Sequence, residues 1–545
     1  FSELNARCNR IAHVLLNRGV APGDRVAFLL MNGVEYIEAY FAVAKIGAVM
    51  VPLNWRLLPE DLAFILKDSG STSLIYDQEF DSPVNDLRGL DTDLQLHIRI
   101  GDSVSVPDFA VHYDNETNQV SDEEPEINAS GDDLLFIMYT SGTTGNPKGV
   151  VLTHDNFEFE IWSVQQVTRY NQGDGYVSWL PCAHVFGQLA DNHIWIRDAI
   201  HMRVVDNPLH SIDYCQEVQP HLFIGVPRIY EKVYSNLMAK LGSKLKLLAI
   251  PVLGGIIKKK ARAAIGFSNT KYAITGAAPI NPDILTLFHK LGIPLYEGYG
   301  MTETTAGATL NYDGNNRIGS VGKPMEGTEL RIGDANENGE GEIQFNGRHV
   351  MAGYYRDPEA TAETMTMDGW LKSGDLGRID SDGYVYITGR LKEIYVSSAG
   401  KNIAPLVIEE TMKSIPMVSQ CMLIGDNRKF CSALLTLDVG AILRDVHGLD
   451  GATEVPKDPG EQLAKLAALG HDLSEYTAVG SETHKQLEAA VAELNQKFSS
   501  PEQVKKFTVL PRDLSVDDGE LTPTLKIRRK QIRENWADEI ETMYS

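Results

Sequence analysis

The sequence predicts an α/β protein built of parallel α/β lobes, followed by an antiparallel β lobe and a smaller α+β unit. Three observations predict it. Helical periods alternate with short apolar runs through the first half, Gly-rich turns space short strands from about residue 315 to 388, and a hairpin with an amphipathic helix follows Arg390. At 545 residues the chain is too long for a single core, so at least two domains are expected.

The elements follow in order. "ELNARCNRIAHVLLNRG" has one apolar face and closes on Gly19, and "RVAFLL" is a short buried strand. "GVEYIEAYFAVAKIG" repeats the helix and "AVMVPLN" the strand, an alternation that argues for a parallel sheet. The same texture continues through "HLFIGVP", "KYAITGAAPI" and "IPLYEGYGMTE". "TELRIG", "GEIQFNG" and "GYVYITG" are strands of the antiparallel lobe. In the last unit "QCMLIGDNRKFCSALLTLD" is a hairpin turning on Gly425-Asp426-Asn427, and Ser481 starts a helix with Leu487, Val491, Leu494 and Phe498 on one face. The stretch 449–480, rich in Gly, Asp and Pro, is expected to be a surface insertion.

Hydrophobic and charged fractions of 43% and 23% are those of an ordinary globular chain. With a net charge of −24 the surface has no general attraction for nucleic acid, so phosphate-bearing ligands need local sites. Five scattered cysteines without C-x-x-C spacing fit a reducing compartment, and a cytoplasmic location is expected. No apolar run reaches the ~18 residues a bilayer span needs. The chain opens within a helical period, so a targeting segment upstream would be invisible.

The stretch "YTSGTTGNPKGV", Tyr139 to Val150, follows the apolar run "LLFIMY". Small residues after a strand present backbone N–H groups and hydroxyls in one concavity, which suits phosphate oxygens. It is not a G-x-x-x-x-G-K-[ST] loop, because Gly149 follows Lys148. Alone it would be as well explained by a flexible surface turn.

It is accompanied, in order, by "ITGAAP", "YEGYGMTE", "DGWLKSGDLGRID", "ITGRLKEIYVSSAGKNIAP" and "LTPTLKIRRK". Together these resemble the signature motifs of the adenylate-forming superfamily of acyl-CoA synthetases, firefly-type luciferases and peptide-synthetase adenylation domains. The similarity spans essentially the whole chain. "SSAGKNIAPLVIEE", the hairpin and the terminal "DEIETMYS" look most like long-chain fatty acid CoA ligases of the bubblegum type.

The resemblance implies a large adenylation domain over 1–389, with α/β lobes to about 314 and a β-rich lobe to 389. A small mobile α+β domain over 390–545 would be joined to it by a hinge at Lys392. It implies two reactions: a carboxylate joins the α-phosphate of ATP with loss of pyrophosphate, and the acyl group then passes to coenzyme A. Positioning and charge neutralisation dominate such chemistry.

By the same resemblance, Thr140, Ser141, Gly142, Thr143, Thr144, Gly145 and Lys148 cradle the β- and γ-phosphates. Glu303 ligates Mg²⁺ with Thr140 close by, as a hard cation takes oxygen ligands. Gly276, Ala277 and Ala278 offer a flat wall to adenine, on which Tyr299 stacks, and Gly300 and Thr302 complete the nucleotide contacts. Asp375 takes the ribose hydroxyls, with Arg390 its partner across the domain junction. Lys526 reaches the α-phosphate and the attacking carboxylate; outside such a family "KIRRK" would read as a solvated basic run. His184 of "LPCAHVFGQ" lies between the carboxylate pocket and the thiol route, as a gate. Ser397, Ser398 and Gly400 line the pantetheine tunnel. Two departures stand out: Leu525 replaces a usual Gly, and Ala399 stands where the close relatives have a second Gly.

Fatty acid, ATP and coenzyme A are thus the expected partners, and a homodimer is one assembly open to the chain. Residues 240–266 carry seven Lys/Arg and no acid around an apolar centre, a pattern that suits an anionic membrane surface as well as a packed helix pair with a solvated face. Two other activities share the motifs: an acyl-AMP ligase that serves a separate carrier protein, and a luciferase-like oxygenase.

Overall fold

The computed structural model describes residues 1–126, 129–140, 146–205, 207–396, 402–449, 454–456, 458–522 and 526–545. Two large sheets are built from strands between residues 25 and 324, with 353–354 added to one of them. In the eight-stranded sheet the strand order is 353–354, 148–153, 134–140, 49–52, 25–29, 73–77, 96–100, 111–112. Its strands from 134–140 to 111–112 pair in parallel, as the helix–strand alternation predicts.

The first helix runs Ser2–Asn17, buries Ile11, Ala12 and Leu15, and is followed by Gly19 at φ 89°, a conformation that glycine adopts without a Cβ clash. Burying a side chain such as Leu15 contributes roughly 1.5–3 kcal/mol. The second helix is Val34–Lys45 and packs on the first.

Two pairings at one edge of this sheet depart from the parallel expectation, since 353–354 also runs antiparallel to 148–153. Leu134–Thr140 and Lys148–Thr153 form an antiparallel hairpin, with Thr140 opposite Lys148. The two described ends of the glycine- and threonine-rich stretch, Thr140 and Lys148, are therefore pinned side by side. Residues 141–145 themselves lie outside the described residues.

The seven-stranded sheet runs 323–324, 309–310, 295–299, 272–275, 222–225, 175–178, 201–204, parallel except for its first two strands. Apolar side chains from both sheets merge into one core. The antiparallel lobe is the four-stranded sheet 329–333, 341–346, 371–379, 385–390.

The last unit has its own core around a three-stranded sheet of Val418–Ile424, Cys431–Leu437 and Val504–Val509. The hairpin is present, and Asn427 in its turn takes φ 55°. Ser481 caps Glu482–Leu494 by accepting from the His484 N–H at 3.1 Å, and Leu487 and Val491 face the core. The expected surface insertion is corrected here. Within 449–480, Pro459–Ala468 is an amphipathic helix, and Val455, Leu466 and Tyr476 enter the domain core. The apolar residues of "EQLAKLAAL" recur at helical spacing and outweigh the Gly and Pro content of the stretch.

All five cysteines are buried free thiols. No helix among the described residues is long and apolar enough to cross a membrane.

Candidate active site

The parallel strands end on a cleft of about 1650 Å³, walled by both large sheets, the antiparallel lobe and the last unit. Ligands of open α/β sheets bind at the carboxyl ends of their strands. The cleft exceeds the ≈ 300–1,000 Å³ of an ordinary single-ligand pocket.

Thr140 reaches it from the end of one strand, Gly276 from the end of Tyr272–Thr275, and Tyr299 from the end of Leu295–Tyr299. The loops after Thr275 and Tyr299 are locally strained. Ala277 takes φ 68°, Thr305 φ 52° and Ala306 φ 85°, all in the region that side chains rarely adopt. Such strain gathers where a site needs a fixed backbone. At Gly300 an added Cβ would lie 2.2 Å from the Ala306 carbonyl oxygen, so no larger residue fits.

Asp375 is buried and held from two sides. The Tyr299 hydroxyl donates to Oδ2 at 2.6 Å, and Arg390 Nε lies 2.8 Å from Oδ1. Asp375 and Arg390 sit directly opposite one another on neighbouring strands. The expected partnership exists, but strand register within one sheet makes it, not a contact across a domain junction. Tyr299 borders the cleft with its ring tilted against Phe345 at 5.8 Å.

Glu303 lies in the 3-10 turn Thr302–Thr304 and is buried. Burial raises its carboxyl above the ordinary range, and the Tyr354 hydroxyl, donating to Oε1 at 2.8 Å, opposes that shift. Lys148 Nζ stands 5.1 Å from the centre of the same Tyr354 ring. Lys148 and Glu303 are thus joined through one tyrosine. Sequence reasoning missed Tyr354, although the paired tyrosines of "GYYRDP" beside the other motifs carried the signal.

Oxygen ligands for a hard cation are present. Glu303 and Thr140 share the cleft wall, and no cluster of three or more His, Cys, Asp or Glu side chains with metal-site geometry occurs among the described residues. One carboxylate and a hydroxyl suit Mg²⁺, which keeps several waters and binds largely through substrate phosphates.

Lys526 borders the same cleft. Its backbone is fixed by Thr522: the Thr522 N–H donates to the Lys526 carbonyl at 2.7 Å, and the Lys526 N–H to the Thr522 hydroxyl at 3.0 Å. Although it keeps exposed area, crowding by the cleft walls lowers its pKa, with repulsion from Arg390 adding to this and Asp375 and Glu303 opposing it. His184 is half-buried at the N-cap of Val185–Gln188, and its Nδ1 accepts from the Phe186 N–H at 3.2 Å. Burial, then repulsion from Lys526, depress it to about 4, so at neutral pH it is an uncharged imidazole.

The basic run after Lys526 is not simply solvated. Arg529 forks onto the Glu409 carboxylate at 2.5 and 2.6 Å and reaches Glu393 at 3.2 Å. Arg528 and Lys530 fit the solvated reading, Lys530 at 89% exposed. Glu393 belongs to the exposed 3-10 turn Leu391–Glu393 that carries Lys392, so this ion pair ties that turn to the helix following Lys526. Gly276, Ala277, Ala278, Gly300, Thr302 and Lys392 all border the cleft. Ser141, Gly142, Thr143, Thr144 and Gly145, and Ser397, Ser398 and Gly400, fall outside the described residues. Glu297, also missed from sequence, is a buried wall carboxyl pushed up to about 8 by burial.

The family profile described as AMP-binding enzyme matches residues 1–355. The long-chain-fatty-acid–CoA ligase FadD15 of Mycobacterium bovis is 32% identical over 97% of this chain and 90% of its own length. The long-chain-fatty-acid–CoA ligase ACSBG2 of Mus musculus is 30% identical over 100% of this chain and 88% of its own. A crystallised Mycobacterium tuberculosis fatty acyl CoA synthetase matches with a TM-score of 0.64 at 25% identity, covering 98% of this chain and 92% of that one.

Proposed function

The chain belongs to the AMP-binding enzyme family, and from that premise we propose that it is an ATP-dependent long-chain fatty acid–CoA ligase. A fatty carboxylate oxygen attacks the α-phosphorus of ATP, the bond to the β-phosphate oxygen breaks, and pyrophosphate leaves with the electron pair. The coenzyme A thiol then attacks the acyl carbonyl, loses its proton, and expels AMP to leave the thioester.

The observation that carries the first step is the convergence of Lys526, Asp375, Arg390 and Glu303 on one cleft, in mutual electrostatic reach. Asp375, oriented by Tyr299 and Arg390, accepts from the ribose hydroxyls. Lys526 neutralises charge that grows as carboxylate meets phosphate, a task a preorganised cation does without rearrangement. Lys148, with Thr140 through Gly145, would hold the outer phosphates. Mg²⁺, held by Glu303 and Thr140, would supply charge neutralisation at the phosphates. Uncharged His184 orients the carboxylate and gates the thiol route.

The second step needs Lys526 withdrawn and another face presented. The domains 1–389 and 390–545 would rotate about Lys392, whose exposed turn imposes little packing resistance. Ser397, Ser398 and Gly400 would line the pantetheine path. Peripheral membrane contact through 240–266 is favoured by the helix Pro251–Ala264, where Val252 is 79% and Ile256 49% exposed beside the exposed Lys259 and Lys260.

The test is pyrophosphate release and thioester formation from Mg-ATP across acids from acetate to tetracosanoate, with and without coenzyme A. No pyrophosphate with any acid overturns the reading. Acyl-AMP that coenzyme A does not consume would turn it to a carrier-protein acceptor, and light emission with a luciferin to the oxygenase.

A further inference from the structure

Among the described cleft-wall groups that neither reaction uses, one buried carboxyl has no bonding partner. Glu160, on the helix His154–Val167, has no exposed surface, and among the described residues neither carboxyl oxygen has a hydrogen-bond partner. Val164, one turn on, lines the same cleft, as do Leu189, Ala190 and Ile194 of the segment 189–194 that packs on this helix. The side chain is held in place rather than free to swing away. A Cβ added at Gly307 would lie 2.2 Å from Glu160 Oε1 and 2.8 Å from Met325 Cε, so the carboxyl is wedged against that glycine's backbone.

A buried carboxyl with no partner is costly, and it is retained most readily where a ligand supplies the missing bond. Burial raises the Glu160 carboxyl well above its ordinary value, and the Gly307 N–H, outside hydrogen-bond geometry, offsets little of this. Burial thus favours the uncharged acid, which has one O–H to donate and oxygen lone pairs to accept. An alkyl chain lying over it would leave both capacities unmet. A chain bearing a hydroxyl or oxo oxygen at that depth would satisfy them.

We propose that Glu160 is a specificity-determining residue which reads an oxygen substituent on the acyl chain, so that the cleft favours hydroxy or oxo fatty acids over unsubstituted chains of equal length. This rests on the fatty acid ligase reading and narrows its substrate class. A site built to pair a substrate hydroxyl discriminates strongly against the analogue that lacks it, because the analogue leaves the site's own group unpaired.

The experiment is a competition within one enzyme preparation. Unsubstituted acid is mixed with isomers whose hydroxyl walks along the chain, and the thioester ratio is read for wild type, Glu160→Gln and Glu160→Leu. Ratios are independent of how much enzyme folds. Wild type is expected to prefer one hydroxyl position by at least about tenfold, Gln to keep most of that preference and Leu to abolish it. Equilibrium binding of the same acids without ATP reads the pocket apart from chemistry and is expected to give the same ordering. Ratios and affinities within about twofold between wild type and Glu160→Leu at every hydroxyl position overturn the proposal. Absence of turnover with the binding preference intact overturns only the ligase reading.

Discussion

The Tyr354 hydroxyl donates to Glu303 Oε1 at 2.8 Å, and it is the group that holds this buried carboxyl closest to its ionised state. Burial favours the protonated form, so removing the hydroxyl raises the carboxyl's pKa further. In Tyr354→Phe the acid limb of kcat/KM therefore moves to higher pH, and activity near neutrality falls roughly tenfold. A pH profile at saturating magnesium checks this. An acid limb that stays in place would remove Glu303 from the reaction.

Lys526→Ala separates the half-reactions. Acyl-AMP formation, followed by pyrophosphate release, is expected to fall by ~10²–10³. Conversion of supplied acyl-AMP to thioester should continue near the wild-type rate. Equal loss of both steps contradicts the role given to this lysine.

Lys392→Pro tests the hinge from the other side. Proline fixes φ near −65°, which locks the turn Leu391–Glu393 in one conformation. Acyl-AMP is expected to accumulate while its transfer to coenzyme A slows by tenfold or more. Unimpaired thioester formation would argue that no rotation occurs at this residue.

Arg529 is partnered by two carboxylates, Glu409 and Glu393, and its helix follows Lys526 directly. Arg529→Met would leave Glu409 buried and uncompensated, at a cost of about 3–5 kcal/mol. Urea unfolding of the whole chain should show a C-terminal transition at lower denaturant. Pairing the change with Glu409→Gln should restore part of the loss, and a stability unchanged by Arg529→Met would contradict the buried pairing.

Replacing Lys258, Lys259 and Lys260 by Glu should reduce co-sedimentation with anionic vesicles by tenfold or more at low salt and leave binding of ATP unchanged. Vesicle binding that ignores the substitution would leave the helix Pro251–Ala264 as an ordinary packed element.

Local chemistry was legible from the sequence. Helical periods, strand alternation and the Gly19 and Ser481 boundaries depend on neighbours within a few residues. The ordered motifs named Lys148, Gly276, Glu303, Asp375, Arg390 and Lys526, and the fold brings all of them to one cleft. Other features were decided only in three dimensions. Tyr354 meets Glu303 across 51 positions and Glu409 meets Arg529 across 120. The hairpin between Thr140 and Lys148 could pass for a strand–loop–helix, since local pattern does not reveal pairing direction. Glu160 looks like a surface carboxylate on a helix, and burial by the fold raises its carboxyl well above the ordinary range. Propensity and motif order are properties of adjacent residues. Ion pairing and ionisation depend on what the finished fold places around a group, and that is set by packing between segments the sequence keeps far apart.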